Sequence, residues 1–246
     1  MRRPVTAGLL QRFSPRKLSW LRLWLAADRI TGLADGDPVT TWADRSGQGN
    51  HATQSTTAAK PLFKTGIAGG RPVVRFDGVD DYLTVANEPT FDLSTFTIFV
   101  VGKASNDGGT FLGKVTFAGL VTDNDRRKIQ VRRASSTQFV LYSGSDSANK
   151  ASGTVTWTSF NVLTAVFRGA TDYTLALNGA ASDFATPTLD AATFNNASAI
   201  IGAATSGAEF LTGDIAEIVV YNRALSATER KAVEFYLGSR YGVAIS

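Results

Sequence analysis

The sequence predicts an all-β fold, an antiparallel β-sandwich closed by one short C-terminal helix. Three observations predict it. Short runs of alternating apolar and polar residues, rich in β-branched and aromatic side chains, recur along the chain. Clusters of Gly, Asp, Asn and Ser separate these runs at short intervals. A single capping-box sequence near the C-terminus precedes apolar residues at helical spacing. About a dozen short strands in 246 residues is the pattern of a large sandwich or barrel.

The elements follow in order. Leu23 and Leu25 alternate with Arg22 and Trp24, which sets the leucines on one strand face. Val73 to Phe76 and Tyr82 to Val85 flank an Asp/Gly turn, and Phe96 to Val101 is strongly β-forming. Phe117 to Val121, Lys128 to Arg133, Phe139 to Tyr142 and Phe160 to Phe167 are further strands. Tyr173 to Leu177 ends at Asn178-Gly179, a pair that tolerates the positive φ of a two-residue hairpin turn. Ala199 to Gly202 and Ile215 to Tyr221 complete the set. Ser226-Ala227-Thr228-Glu229 then caps a helix whose apolar stripe is Ala232, Val233, Tyr236 and Leu237, with Gly238 and Gly242 as stop signals.

Charge divides the chain. Arg2, Arg3, Arg12, Arg16 and Lys17 fall in residues 1–20 without an acid, and the chain total is +4, so residues 21–246 carry a net −1. The expected organisation is a basic arm over 1–20 and one sandwich domain over 21–246. The arm is either a solvated tail or an anchor on a neighbouring subunit. Nucleic acid is not an expected partner, because no aromatic residues alternate with the arm's charges. With no cysteine, disulfides, thiolate metal sites and cysteine nucleophiles are excluded. No apolar stretch reaches the ~18 residues of a membrane span, and none near the N-terminus has the length of a signal-peptide core.

Several side chains are candidates for chemistry. Trp42, Tyr142 and Tyr173 stand at strand ends or loops, where a ring can stack on a sugar; packing in the core or rim is the alternative for each. Trp157 opens an apolar run and is expected in the core. Lys128 and Arg132 point outward on a basic strand, either as a solvated face or as a contact for an acidic glycan or partner subunit. Asp77, Asp80 and Asp81 form an acidic turn, read as Asx-turn chemistry or as a cation holder without EF-hand spacing. His51, the one histidine, has no triad partner in its Gly/Asn loop.

Four segments carry a family resemblance. Leu23 to Asp28 resembles an opening strand. Trp42-Ala43-Asp44-Arg45-Ser46-Gly47-Gln48-Gly49-Asn50-His51-Ala52 resembles a W-x-D-x-S-G-x-G-N-x-A loop. Phe76-Asp77-Gly78-Val79-Asp80-Asp81-Tyr82-Leu83 resembles an F-D-G-x-x-D-Y-L segment, and Gly213 to Ser226 a closing G-x-I-x-E-x-x-x-Y-x-R-x-L-S strand and cap. Together they resemble the laminin-G-like domains of the concanavalin-A-like lectin/glucanase superfamily, of the kind found in phage structural proteins, over about residues 20–242. The resemblance implies a jelly-roll sandwich. It also implies a structural Ca²⁺, here to be held by Asp44, Asn50 and Glu217, although Ala216 stands where a second carboxylate is usual. The E-x-D-x-E strings of the glucanase relatives do not occur, so no enzyme activity is expected. With the acid-free arm and a short phage-like lead-in from Phe13 to Trp20, the expectation is a non-enzymatic phage virion protein. It would display a lectin-like sandwich, anchored among other virion subunits by its arm. The alternative is a carbohydrate-binding module of a bacterial surface or exported protein.

Overall fold

The computed structural model describes residues 13–86, 95–115, 128–135, 138–143, 156–169, 172–184, 198–204 and 209–246. Its strands, numbered in chain order, form two antiparallel sheets. The first runs β13 (Ala180–Phe184), β12 (Asp172–Leu177), β11 (Asn161–Gly169), β7 (Phe96–Ala104), β15 (Thr212–Tyr221), β5 (Arg71–Asp77) and β4 (Leu62–Ala68), with β1 (Leu21–Ala26) also paired to β15. The second runs β10 (Gln138–Ser143), β9 (Lys128–Ser135), β8 (Thr110–Val115), β14 (Ala199–Ile201), β6 (Leu83–Val85), β3 (Ala52–Thr53) and β2 (Thr41–Trp42). The expected sandwich is therefore present. The expected strand at Phe117 to Val121 lies outside the described residues.

Two apolar layers hold the fold. Trp42, Phe76, Phe96, Phe111, Leu163 and Ile218 belong to one buried cluster between the sheets. Trp24, Phe99, Val101, Tyr221, Val233, Leu237 and Tyr241 form a second, under the helix α1 (Ala227–Tyr241). Both faces of the first sheet are thus covered. This explains why β7 reads Phe-Thr-Ile-Phe-Val-Val, unbroken by the alternation of a half-exposed strand. Trp157 packs against Phe111 with ring centroids 6.0 Å apart, the expected core position.

The local signals act as expected, with one exception. Asn178 (φ 50°) and Gly179 (φ 87°) turn β12 into β13. The Ser226 hydroxyl accepts from the Glu229 N–H and the Glu229 carboxylate accepts from the Ser226 N–H, the reciprocal box that opens α1. Glu229 also takes two bonds from Arg223, at 2.7 and 2.9 Å, which lowers its pKa to about 2. Gly238, however, does not stop the helix. It lies inside α1, and a Cβ there would meet the Val243 carbonyl and the Ile245 side chain of the returning tail. The stop is Gly242, at φ 71°.

One irregularity in β15 decides the direction of Glu217. Ile215 pairs with Gly102 and Glu217 with Val101, so Ala216 is an extra residue, a bulge. Without it, strict alternation would send Glu217 to the face of Ile215, into the layer between the sheets. The bulge turns Glu217 to the helix face instead.

Candidate functional site

The resemblance's three calcium residues do not converge. Asp44 Oδ1 accepts from the N–H groups of Trp24 (2.9 Å) and Ser46 (2.8 Å). Its Oδ2 accepts from Ser46 Oγ (2.6 Å) and the Asn50 N–H (3.0 Å). Asn50 Nδ2 donates to the Arg22 carbonyl at 2.7 Å. Asp44 and Asn50 thus act together to fix their own loop. His51 joins them as a turn hydrogen-bonder, its Nδ1 accepting from the Asp44 N–H.

Glu217 serves a different centre. It is fully buried and accepts from Trp24 Nε1 (2.6 Å), Tyr241 Oη (2.7 Å) and Arg240 Nε (3.2 Å). Arg240 also reaches Asp28 at 2.7 Å, which pairs in turn with Arg71 at 2.8 Å. Burial pushes the Glu217 carboxyl upward, against the opposing pull of Arg240 and the two neutral donors. Trp24 links the two centres: its backbone binds Asp44 and its indole binds Glu217. Both carboxylates are saturated by protein donors, so the residues present do not fit one shared cation.

The aromatic candidates are also relocated. Trp42 and Tyr173 are fully buried in the layer between the sheets and cannot stack on a sugar. Both were expected at strand ends or loops, but their rings pack into the cluster between the two sheets. The Tyr142 backbone pairs with Gln130; its side chain, like that of Lys128, lies outside the described residues. Arg132 is held to Glu209 at 2.8 Å, which ties β9 to the segment before β15. Arg2, Arg3 and Arg12 lie outside the described residues. Of the arm, Lys17 is exposed and Arg16 donates to the Arg45 carbonyl at 2.6 Å.

The structure assembles a site that the sequence did not mark. A groove of about 800 Å³ opens at one end of the sandwich, and its walls include Arg75, Lys103, Ser105, Arg133, Trp157 and Asp214. Arg75, Asp214 and Lys103 are direct cross-strand neighbours on β5, β15 and β7. They form a row of charges, positive, negative, positive. Asp214 is almost fully buried and is gripped by Arg75 at 2.6 and 3.0 Å and by Lys103 at 3.3 Å. The hydrogen bonds to Asp214 raise the Arg75 pKa further, so its charge is permanent. Arg75 and Lys103 remain 41% and 31% exposed, with N–H donors beyond those Asp214 uses. Next to this row, Gly213 lets β15 approach β7 closely; a Cβ there would stand 2.2 Å from the Lys103 carbonyl.

Arg133 completes the groove. It shares the inward face of β9 with Val131, and its guanidinium donates to Ala104 O (2.8 Å) and Ser135 O (3.1 Å) and pairs with Asp107 (3.0 Å). It also lies over the Trp157 ring, 5.6 Å from the centroid. Asp107 and the two carbonyls hold Arg133 as part of the wall, so the positive charge open to the groove is that of Arg75 and Lys103, which share Asp214. The legible signal was Arg133 itself, a charge at an inward position of an alternating strand.

The neighbouring Asp77–Asp81 turn is an Asx turn. Asp77 Oδ1 accepts from Val79 N at 2.8 Å, and Asp81 Oδ2 accepts from Asp77 N at 3.0 Å. The carboxylates of Asp77, Asp80 and Asp81 offer oxygens within 4.8 Å of one another. Burial, then the Asp77 charge, raises the Asp81 pKa to about 6.

Comparison with known proteins fixes the family. The model of the concanavalin A-like lectin/glucanases superfamily matches residues 77–229. The chain belongs to this superfamily. No curated protein matches it. Among solved structures, the Trypanosoma rangeli sialidase in complex with sialic acid aligns at TM-score 0.60 and 14% identity, over 93% of this chain and 34% of that one. The binding domain of Paraclostridial Mosquitocidal Protein 1 aligns at 0.60 and 12%, over 90% and 52%. The Ruminococcus gnavus IT-sialidase CBM40 bound to alpha2,3 sialyllactose aligns at 0.53 and 15%, over 66% and 96%. This chain thus spans about a third and about half of the first two, and at these identities the likeness is one of fold. The superfamily is the one the sequence motifs resemble.

Proposed function

We propose that the chain is a carbohydrate-binding module whose groove takes a glycan bearing an acidic group. The observation that carries this is the groove's charge: Arg75 and Lys103, both partly exposed, share the single carboxylate of Asp214, beside the Ser105 hydroxyl. Guanidinium and ammonium N–H groups match a carboxylate, and a side-chain hydroxyl matches the hydroxyls of a sugar. Two neighbours of the same fold support the reading, since one is a binding module holding sialyllactose and one a sialidase holding sialic acid. A non-catalytic role is supported by Asp214, the one carboxylate among the described lining residues, whose oxygens are both committed to cations. Glycoside hydrolysis ordinarily uses two carboxylates about 5–9 Å apart.

Calorimetric titration with alpha2,3-sialyllactose and with lactose tests the reading. The sialylated sugar binds and lactose does not. Thr158→Tyr, which fills the groove from an exposed position, weakens binding at least about tenfold without lowering the melting temperature. Equal affinity for both sugars, or none for any acidic glycan, overturns it. Display on a phage particle, with the basic arm as anchor, is the setting that the acid-free arm supports. Mass spectrometry of purified particles checks it, and absence of the chain from them sinks it.

A further inference from the structure

The chain has four tryptophans, and they are not alike. Trp24, Trp42 and Trp157 are 8%, 0% and 6% exposed, whereas Trp20 is 58% exposed. Trp20 also sits at φ 67°, the left-handed region that a residue with a Cβ avoids. The surrounding structure imposes that conformation. The Trp20 carbonyl accepts from Asn222 N at 2.9 Å, and the preceding Ser19 carbonyl accepts from Arg223 Nε at 3.3 Å. The turn is stapled to the end of β15, and the staple holds the indole out into solvent. Strain kept in place by several bonds is a feature of functional positions.

The indole lines a concavity of about 360 Å³ together with Arg16, Leu18, Ser46, Gly47 and Gln48. These last three residues belong to the loop that Asp44 fixes through four hydrogen bonds. The wall is rigid before any ligand arrives. Arg22 lies 5.4 Å from the indole centroid and donates to Gln48 Oε1 at 3.3 Å, so the Gln48 amide N–H groups are left to donate elsewhere. One flat apolar ring, with the Arg22 guanidinium over one face, stands beside a shelf of amide and guanidinium donors. A lone indole is far smaller than the apolar patch of a protein interface.

We infer that the Trp20 shelf is a second glycan subsite, which stacks one hexopyranose ring on the indole and takes its hydroxyls as acceptors from Gln48 and Arg16. The inference extends the glycan-binding reading but stands on residues separate from the groove. The subsite would also give the W-x-D-x-S-G-x-G-N loop a role beyond its own geometry.

Tryptophan emission isolates the shelf, because iodide quenches exposed indoles and not buried ones. Methyl β-galactoside, β-glucoside and α-mannoside are the probes. At least one, at tens of millimolar, protects the wild-type emission from iodide. Trp20→Asn, whose side chain tolerates the left-handed region, removes the quenchable emission, keeps the melting temperature and lowers affinity for that probe at least about tenfold. Trp20→Tyr keeps binding. Failure of all three probes to alter quenching, or unchanged affinity in Trp20→Asn, overturns the inference. Sialyllactose binding in Trp20→Asn reports on the groove alone. Its loss in Thr158→Tyr with the shelf intact, or the converse, separates the two sites.

Discussion

Asp214 and Glu217 stand on the same strand and face the same side of the same sheet, yet they head two different kinds of charge network. Glu217 lies under α1, where its three partners are themselves largely covered, and the network runs on through Arg240 and Asp28 to Arg71 at its rim. Asp214 lies at the other end of β15, where its partners Arg75 and Lys103 keep exposed N–H groups. The first network satisfies every donor it buries and clasps the helix to the sandwich. The second neutralises one carboxylate with two cations and leaves positive charge facing a groove. A saturated network contributes structure; an unsaturated, half-exposed one is available to a ligand.

Breaking the Glu217 network should cost most. Glu217→Ala leaves Arg240, the Trp24 indole and the Tyr241 hydroxyl without their shared acceptor, and should destabilise by about 3–5 kcal/mol in urea denaturation. Helix docking should loosen, visible as faster amide exchange in α1. Tyr241→Phe removes one donor to Glu217 and should cost about 1–2 kcal/mol. An effect as small as that of a surface change would show that the clasp is not held by this network.

Asp81 sharpens the comparison, because it is buried facing two other acids rather than cations. Its folded pKa of about 6 stands above its ordinary 3.8, so the folded state holds more protons between those values. Stability should therefore fall as pH rises from about 4 through about 6, by up to about 2 kcal/mol. Asp81→Asn keeps an acceptor for the Asp77 N–H and should flatten that slope, gaining stability at neutral pH. An unchanged pH profile in thermal melts would count against the burial of this charge.

Asp214→Asn should cost folding little, about 1–2 kcal/mol, since the cations it releases are solvated. Its effect on binding runs the other way. The groove gains one unit of positive charge, so affinity for alpha2,3-sialyllactose should rise and become more salt-sensitive. Weaker binding would mean that Asp214 itself contacts the sugar.

Much of the fold was legible because its signals are local. The Ser226 capping box and the Asn178-Gly179 turn are read over four and two residues, and both form as read. The sandwich followed from alternation and turn clusters. The candidate sites were less legible. Trp42 and Tyr173 have the residue type of a sugar platform, but exposure is set by what folds over a ring, and here both are buried while Trp20 is not. Glu217 carries a family motif position, yet the Ala216 bulge decides its face, and a one-residue bulge has no local signature. Strand register sets Arg75, Lys103 and Asp214 side by side in one sheet, and only the packing of the two sheets brings Arg133 of β9 to them.

The sequence by itself determined the class of fold, the capped helix and the crowding of basic residues into positions 1–20 ahead of a nearly neutral remainder. Each rests on periodicity, local hydrogen bonding or charge counting, which need only neighbours along the chain. The tertiary structure alone decided which tryptophan meets solvent, which carboxylate is sealed and which faces a groove. Burial and charge pairing depend on residues far apart in sequence, and only the packing of two sheets and a helix brings those together.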